Sequence, residues 1–214
     1  MRPDESRPAT PREYLVGGAA LAAALMINRS AGKMADAAGE AANTSPDLLL
    51  RWLPHWDTSV LFIYGFALFL LWLIYAGIRY ERRRVPRILW AYAVLVAVRS
   101  FFIILTPMHT PPDQAVVVGD PLFAIFGRFM TFKHDLFFSS HTAMPFLAFL
   151  LFRGPWVRLS FLAISLVLGA AVLIGHFHYS IDVFGAVFIT YALHALEARK
   201  IQRVYEFLTG IRRD

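Results

Sequence analysis

Apolar residues run along this chain in long blocks, and polar residues gather in the short breaks between them. An α-helix needs about 20 apolar residues to cross a bilayer core of about 30 Å. On that measure the pattern predicts six transmembrane helices, over residues 14–27, 59–80, 88–105, 137–152, 156–174 and 181–196. The clearest is 59–80, followed at once by RYERRRVPR, whose arginines anchor that end in the cytoplasm. The first block, an Ala/Gly/Leu run, is short. It is read as an uncleaved helix, because a cleaved targeting signal would have a more compact basic start. Residues 28–46 are small and polar, which predicts a surface loop. In 47–56, DLLLRWLPHW mixes leucine with two tryptophans and a proline, as an interfacial segment does. A loop over 107–133 carries a predicted surface helix at 121–131, and RGPW makes a tight turn between the fourth and fifth blocks. The domain plan is therefore a disordered cytoplasmic tail over 1–13, a six-helix membrane domain over 14–198, and a basic amphipathic segment over 199–214 that lies on the membrane.

Composition agrees with that plan. With 57% hydrophobic and 15% aromatic residues and a mean hydropathy of +0.52, the chain is too apolar for an ordinary soluble domain. The expected fold class is an all-α integral membrane protein with its helices in one bundle. The net charge of +6 has a location before it has a partner. Of the 21 Lys and Arg residues, the N-terminus, the second-to-third and fourth-to-fifth connections and the C-terminus carry three, five, two and five. Both termini are therefore expected in the cytoplasm, and the charge needs no nucleic acid to explain it. Cysteine is absent, which excludes disulfides, thiolate zinc sites and a cysteine nucleophile.

Two polar stretches interrupt this picture at helix starts on the same outer side: KHDLFFSSHT over 133–142 and HFHYSID over 176–182. His178 and Asp182 are four residues apart, which puts them on one helix face. There Asp182 orients the imidazole for attack on phosphorus or for taking a proton from a hydroxyl. The alternative at this pair is that Ser180 caps the helix and Asp182 sits in its first turn for the helix dipole. His141 adds a second histidine beside Ser139, Ser140 and Thr142, with Pro145 marking where a regular helix begins. Free N–H groups at such a start form a phosphate cradle, and a histidine there can protonate a leaving oxygen. Arg99 lies within the third block, about seven residues or roughly 10 Å from its outer end. A guanidinium so placed costs about 2.5–3.5 kcal/mol on insertion scales, so it is expected to point inward toward a phosphate or an aspartate. Lys133 and Arg128 add charge at the mouth. His134, Asp135 and His176 permit a metal site together with His178 and Asp182. The H-x-H pattern is weak, however, and no glutamate or cysteine completes the ligand set.

The motifs resemble the sphingomyelin synthase-like branch of the type 2 phosphatidic acid phosphatase superfamily. FSSHT over 138–142 is similar to that family's F-S-G-H-T, with Asp135 six residues before the histidine as in the family. HYSIDV over 178–183 is similar to H-Y-T-x-D-V, RSFFIILTP from Arg99 to R-S-x-x-x-x-x-T-x-x-P, and DLLLRWLP from Asp47 to D-L-x-x-x-x-x-P. The resemblance implies six membrane helices with the catalytic groups on the non-cytoplasmic face. It also implies that His178 is the nucleophile that becomes a phosphohistidine, that Asp182 orients it, and that His141 is the acid and base. Ser140 stands where the family has glycine, and tightens the approach of a phosphate oxygen or donates a hydrogen bond to it. Val172 stands where phosphatidic acid-cleaving relatives have arginine, which favours the synthase-like branch.

The expected activity is transfer of a phospho-head group from a membrane phospholipid to a lipid alcohol, ceramide or diacylglycerol, with no cofactor or metal required. Arg99, Lys133, Asp135, Ser139, Ser140 and Thr142 are the expected phosphate-binding set. Hydrolysis with water as acceptor, by a lipid phosphate phosphatase or phospholipase C-like enzyme, is the second reading, and a small membrane transporter the third. A bacterial inner membrane is the expected location, and homo-oligomers are open to such a chain.

Overall fold

The computed structural model describes residues 8–115, 117, 120–121, 123–124, 132–196 and 202–210. Its regular elements are helices: α1 (Pro11–Gly39), α2 (Leu48–Trp52), α3 (Leu61–Gly65 as a π-helical turn continuing as Phe66–Tyr80), α4 (Val85–Leu105), α5 (Ser140–Leu151), α6 (Pro155–Ile174), α7 (Ser180–Leu196) and α8 (Gln202–Thr209). No strand occurs among the described residues. Four helical runs are long and apolar enough to cross a membrane: Pro11–Gly39, Leu61–Tyr80, Arg82–Leu105 and Pro155–Ile174. Helices α5 and α7, with 12 and 17 residues, are shorter. At 1.5 Å per residue α5 is only about 18 Å long. The polar SSHT start and the Arg153–Gly154–Pro155 stop trim it to less than the block read from hydropathy.

Helix α1 departs most from the sequence pattern. It runs through residues 28–39, where small polar residues predicted a surface loop. Its start is fixed by a capping box: Glu13 Oε2 accepts from Thr10 N–H at 2.7 Å, the Thr10 hydroxyl accepts from Glu13 N–H, and Pro11 occupies the first turn. It continues because alanine is a strong helix former and because its small residues make a packing face. Ala24, Asn28, Ala31, Gly32, Ala35 and Gly39 are all buried at helical spacing. Small side chains let the backbone approach a neighbour closely. Ala24 meets Ala93 and Val96 of α4. Farther along, a Cβ at Gly32 would fall within the ring of Phe132, and one at Gly39 would lie 2.3 Å from His134 Cβ. The C-terminal half of α1 is thus the seat on which the 132–135 segment rests.

Helix α4 is the central post, with ten buried residues spread from Pro86 to Ile103. Phe69, Tyr92, Leu95, Phe138, Leu147 and Phe161 form the main core, drawn from α3, α4, α6 and the start and body of α5. Within the C-terminal segment, α8 packs against α1 and α4. Tyr205 is buried with its ring 5.6 Å from that of Trp90, while Phe207 is exposed. Of the predicted surface helix at 121–131, only the first residues are described, where Asp120 Oδ1 accepts from Phe123 N–H at 2.8 Å. The remainder, with Arg128, lies outside the described residues, as do 1–7, 197–201 and 211–214.

Candidate active site

The chain turns back at the end of α6 and delivers His178 just ahead of α7. The Val172 carbonyl accepts from both Phe177 N–H (2.9 Å) and His178 N–H (3.2 Å), and His176 takes a left-handed φ of 53° to close the turn. In the first turn of α7, Asp182 Oδ2 accepts from Tyr179 N–H at 2.8 Å and lies 3.3 Å from His178 Nδ1. The first-turn position and the contact with the imidazole therefore occur together in one carboxylate, which bonds the Tyr179 N–H at the helix start and faces His178, while Ser180 is the first residue of the helix. Asp182 is fully buried, and its Oδ1 has no hydrogen-bond partner. With Nδ1 turned to the carboxylate, Nε2 is the His178 nitrogen left for chemistry.

His141 is the second residue of α5. Its Nε2 lies 3.1 Å from the Phe62 carbonyl in the π-helical turn of α3, and its ring packs on those of Phe62 and Phe66 at 4.2 and 4.4 Å. The His141 and His178 ring centroids are 6.5 Å apart. The two motifs are joined through the main chain, because Ser139 N–H donates to the Asp182 carbonyl at 3.1 Å. No side chain caps α5. By their position in its first turn, the N–H groups of Ser140, His141 and Thr142 have no intrahelical acceptor.

Arg99 points inward and is 6% exposed. Its Nη2 donates to Asp135 Oδ1 at 2.7 Å, Nη1 to Asn28 Oδ1 at 2.9 Å, and Nε to the Phe138 carbonyl at 2.9 Å. Phe138 itself holds a left-handed φ of 70°. Of the five N–H donors of a guanidinium, two are left over.

One pocket gathers most of the residues singled out in the sequence: Arg99, Lys133, Asp135, Ser140, His141 and His178 line it, beside Phe62, Gln114 and Phe177. Asp182 stands behind His178. Ser139 and Thr142 are buried outside the lining, their hydroxyls without hydrogen-bond partners. The Thr142 hydroxyl lies toward α6, 3.2 Å from where a Gly169 Cβ would be. Lys133 Nζ pairs with Glu40 Oε2 at 3.3 Å at the surface. His134 is buried between Asp36 and Glu40, its backbone N–H donating to Asp36 Oδ1 at 2.8 Å. His176 turns away from His178, with Nδ1 3.1 Å from the Pro112 carbonyl and its ring 4.7 Å from that of His55.

Residues 134–199 match the family model for the PAP2 superfamily C-terminal region. That match holds both histidine motifs and spans 66 of the 214 residues. No curated protein and no solved structure matches the chain. The PAP2-matching segment supplies Asp135, His141, His178 and Asp182, whereas Phe62 and Arg99 reach the pocket from ahead of it, and Asn28, farther ahead still, holds Arg99. Asn28 and the Phe62 carbonyl were missed in the sequence. The signal for Asn28 was its place in the 24-28-31-35-39 spacing of small residues. A backbone carbonyl leaves no such signal.

Proposed function

We propose that this chain is a membrane lipid phosphotransferase that moves a phospho-head group from a phospholipid to ceramide or diacylglycerol through a phosphohistidine. The observation that carries this reading is the pair of imidazoles 6.5 Å apart, one backed by a buried carboxylate and the other at an uncapped helix start. A phosphoryl group between them meets a nucleophile on one side and a proton donor on the other. His178 Nε2 attacks phosphorus, and the bond from phosphorus to the diacylglycerol oxygen breaks. Protonated His141 gives its proton to that departing oxygen. The acceptor hydroxyl then yields its proton to His141 and attacks phosphorus, breaking the phosphorus–nitrogen bond and restoring His178. Asp182 stabilises the positive imidazole. The unpaired N–H groups of α5 and the remaining donors of Arg99 hold the non-bridging oxygens, with Ser140 and Lys133 nearby.

The same reading gives six membrane segments, cytoplasmic termini and a site facing the non-cytoplasmic side of a bacterial inner membrane. It is supported by the pocket's position at the ends of α5 and α7 away from the arginine-rich Arg82–Arg84 turn. The test is to incubate purified detergent-solubilised protein, beside His178→Ala, with head-group-labelled phospholipids, with and without ceramide or diacylglycerol. Label passing to the added lipid alcohol, and lost in the variant, is the expected result. Label released only into water makes the enzyme a hydrolase. Turnover retained in His178→Ala sinks the mechanism, and no turnover by either form leaves the transporter reading ahead.

A further inference from the structure

We propose that Asn28 and Asp135 are positioning residues of this site, acting through Arg99. This inference rests on the catalytic reading of His141. The sequence left a phosphate and an aspartate open as partners of Arg99, and three of its donors are engaged inside the protein. Each engagement comes from a different part of the chain. Asn28 lies 71 residues away on α1, Asp135 36 residues away in the pocket wall, and the Phe138 carbonyl 39 residues away at the threshold of α5.

The third bond is the consequential one. Phe138 is a bulky residue held at a positive φ of 70°, a conformation that disfavours L side chains. Three residues later comes His141, and one residue later Ser139, whose N–H ties the same segment to the Asp182 carbonyl. A guanidinium donating to the Phe138 carbonyl therefore helps to fix where α5 begins and where His141 stands. To do so its plane must be held, and Asn28 and Asp135 hold its two Nη atoms. Asp135 also neutralises the buried charge, with the pair at 2.7 Å and both side chains less than a tenth exposed. Asn28 supplies an acceptor without a second negative charge. It sits on the stretch of α1 whose Gly32 and Gly39 seat Phe132 and His134, so one helix face braces both the arginine and the segment bearing Asp135.

The test moves the carboxylate from one brace to the other. Asp135→Asn leaves Arg99 buried without an anion, and Asn28→Asp in the same chain restores one on the opposite Nη. Two readouts are taken in detergent: lipid transfer, and the rate at which diethyl pyrocarbonate modifies His141, read by mass spectrometry. Asp135→Asn is expected to lower kcat by roughly tenfold or more, with KM within about twofold, and to change the His141 modification rate. The double variant is expected to return both toward wild type, a non-additivity expected of residues sharing one partner. If the double variant is no better than Asp135→Asn in either readout, Asp135 acts on substrate directly or merely supports the fold, and the proposal is overturned. If wild type transfers no lipid but the modification rate follows the carboxylate, the phosphotransferase reading fails and the positioning stands.

Discussion

Asp182→Asn replaces the carboxylate behind His178 by a neutral amide of nearly the same shape. The amide oxygen of that variant can still accept from Tyr179 N–H, so the start of α7 keeps its cap. What is lost is the negative charge, 3.3 Å from His178 Nδ1 and fully buried. With charge centres about 4 Å apart and an effective dielectric of about 20, the attraction forgone as the imidazole becomes positive is about 4 kcal/mol. At 1.36 kcal/mol per tenfold, phosphohistidine formation should slow by about three powers of ten. The folding penalty should be near the net worth of one hydrogen bond, about 1 kcal/mol, which for a chain of this size moves Tm by roughly 2–4 °C. Rapid-quench single turnover with head-group-labelled phospholipid measures the first quantity, and thermal unfolding in the same detergent the second. A loss of less than tenfold, with the protein folded, would refute the assignment of Asp182 as the partner of the nucleophile. A rate loss that merely follows unfolding would assign Asp182 to the helix cap alone.

Further outcomes follow from the packing. Gly39→Ala places a Cβ 2.3 Å from His134 Cβ, an anchored atom, and should destabilise the fold by about 1–3 kcal/mol. Gly18→Ala, with nothing within 4 Å, should instead stabilise α1 by up to about 1 kcal/mol, and the two opposite Tm shifts check the close approach of α1 to the pocket wall. Asp47 joins two helix starts, accepting from Leu49 and Leu50 N–H with Oδ1 and from Ser180 N–H at 2.6 Å with Oδ2. Partial burial pushes its carboxyl up, but the bonds from Ser180, Leu50 and Leu49 outweigh it and hold the group below its usual 3.8. A carboxyl depressed in the folded state stabilises above its unfolded pKa and loses that contribution as pH falls through the folded value. Asp47→Asn should therefore be less stable than wild type by about 1 kcal/mol near neutral pH. The gap should close below about pH 4, as read from Tm against pH. A gap that persists unchanged in acid would remove the charge from the account.

Periodicity and hydropathy were enough to find the helices, because each helix satisfies its own backbone and advertises itself locally. They were also enough to place the two histidine motifs at helix starts and to pair His178 with Asp182, since that contact spans four residues. Hydropathy overstated α5, because an apolar block does not reveal that its ends are given to a turn and a polar start. It also lost the C-terminal half of α1. Ala, Gly and Asn read as a loop when counted for polarity, and as a packing face only once α4 and the Phe132–His134 segment lie against them. The sequence predicted that Arg99 turns inward, because a cation is not left in lipid, but it left phosphate and aspartate open as partners. Tertiary structure decided that Arg99 is held by Asn28, Asp135 and Phe138, and that Asp47 caps a helix 133 residues away. Those choices are made between groups distant in the chain, and a contact across such a separation leaves no periodic trace in the sequence.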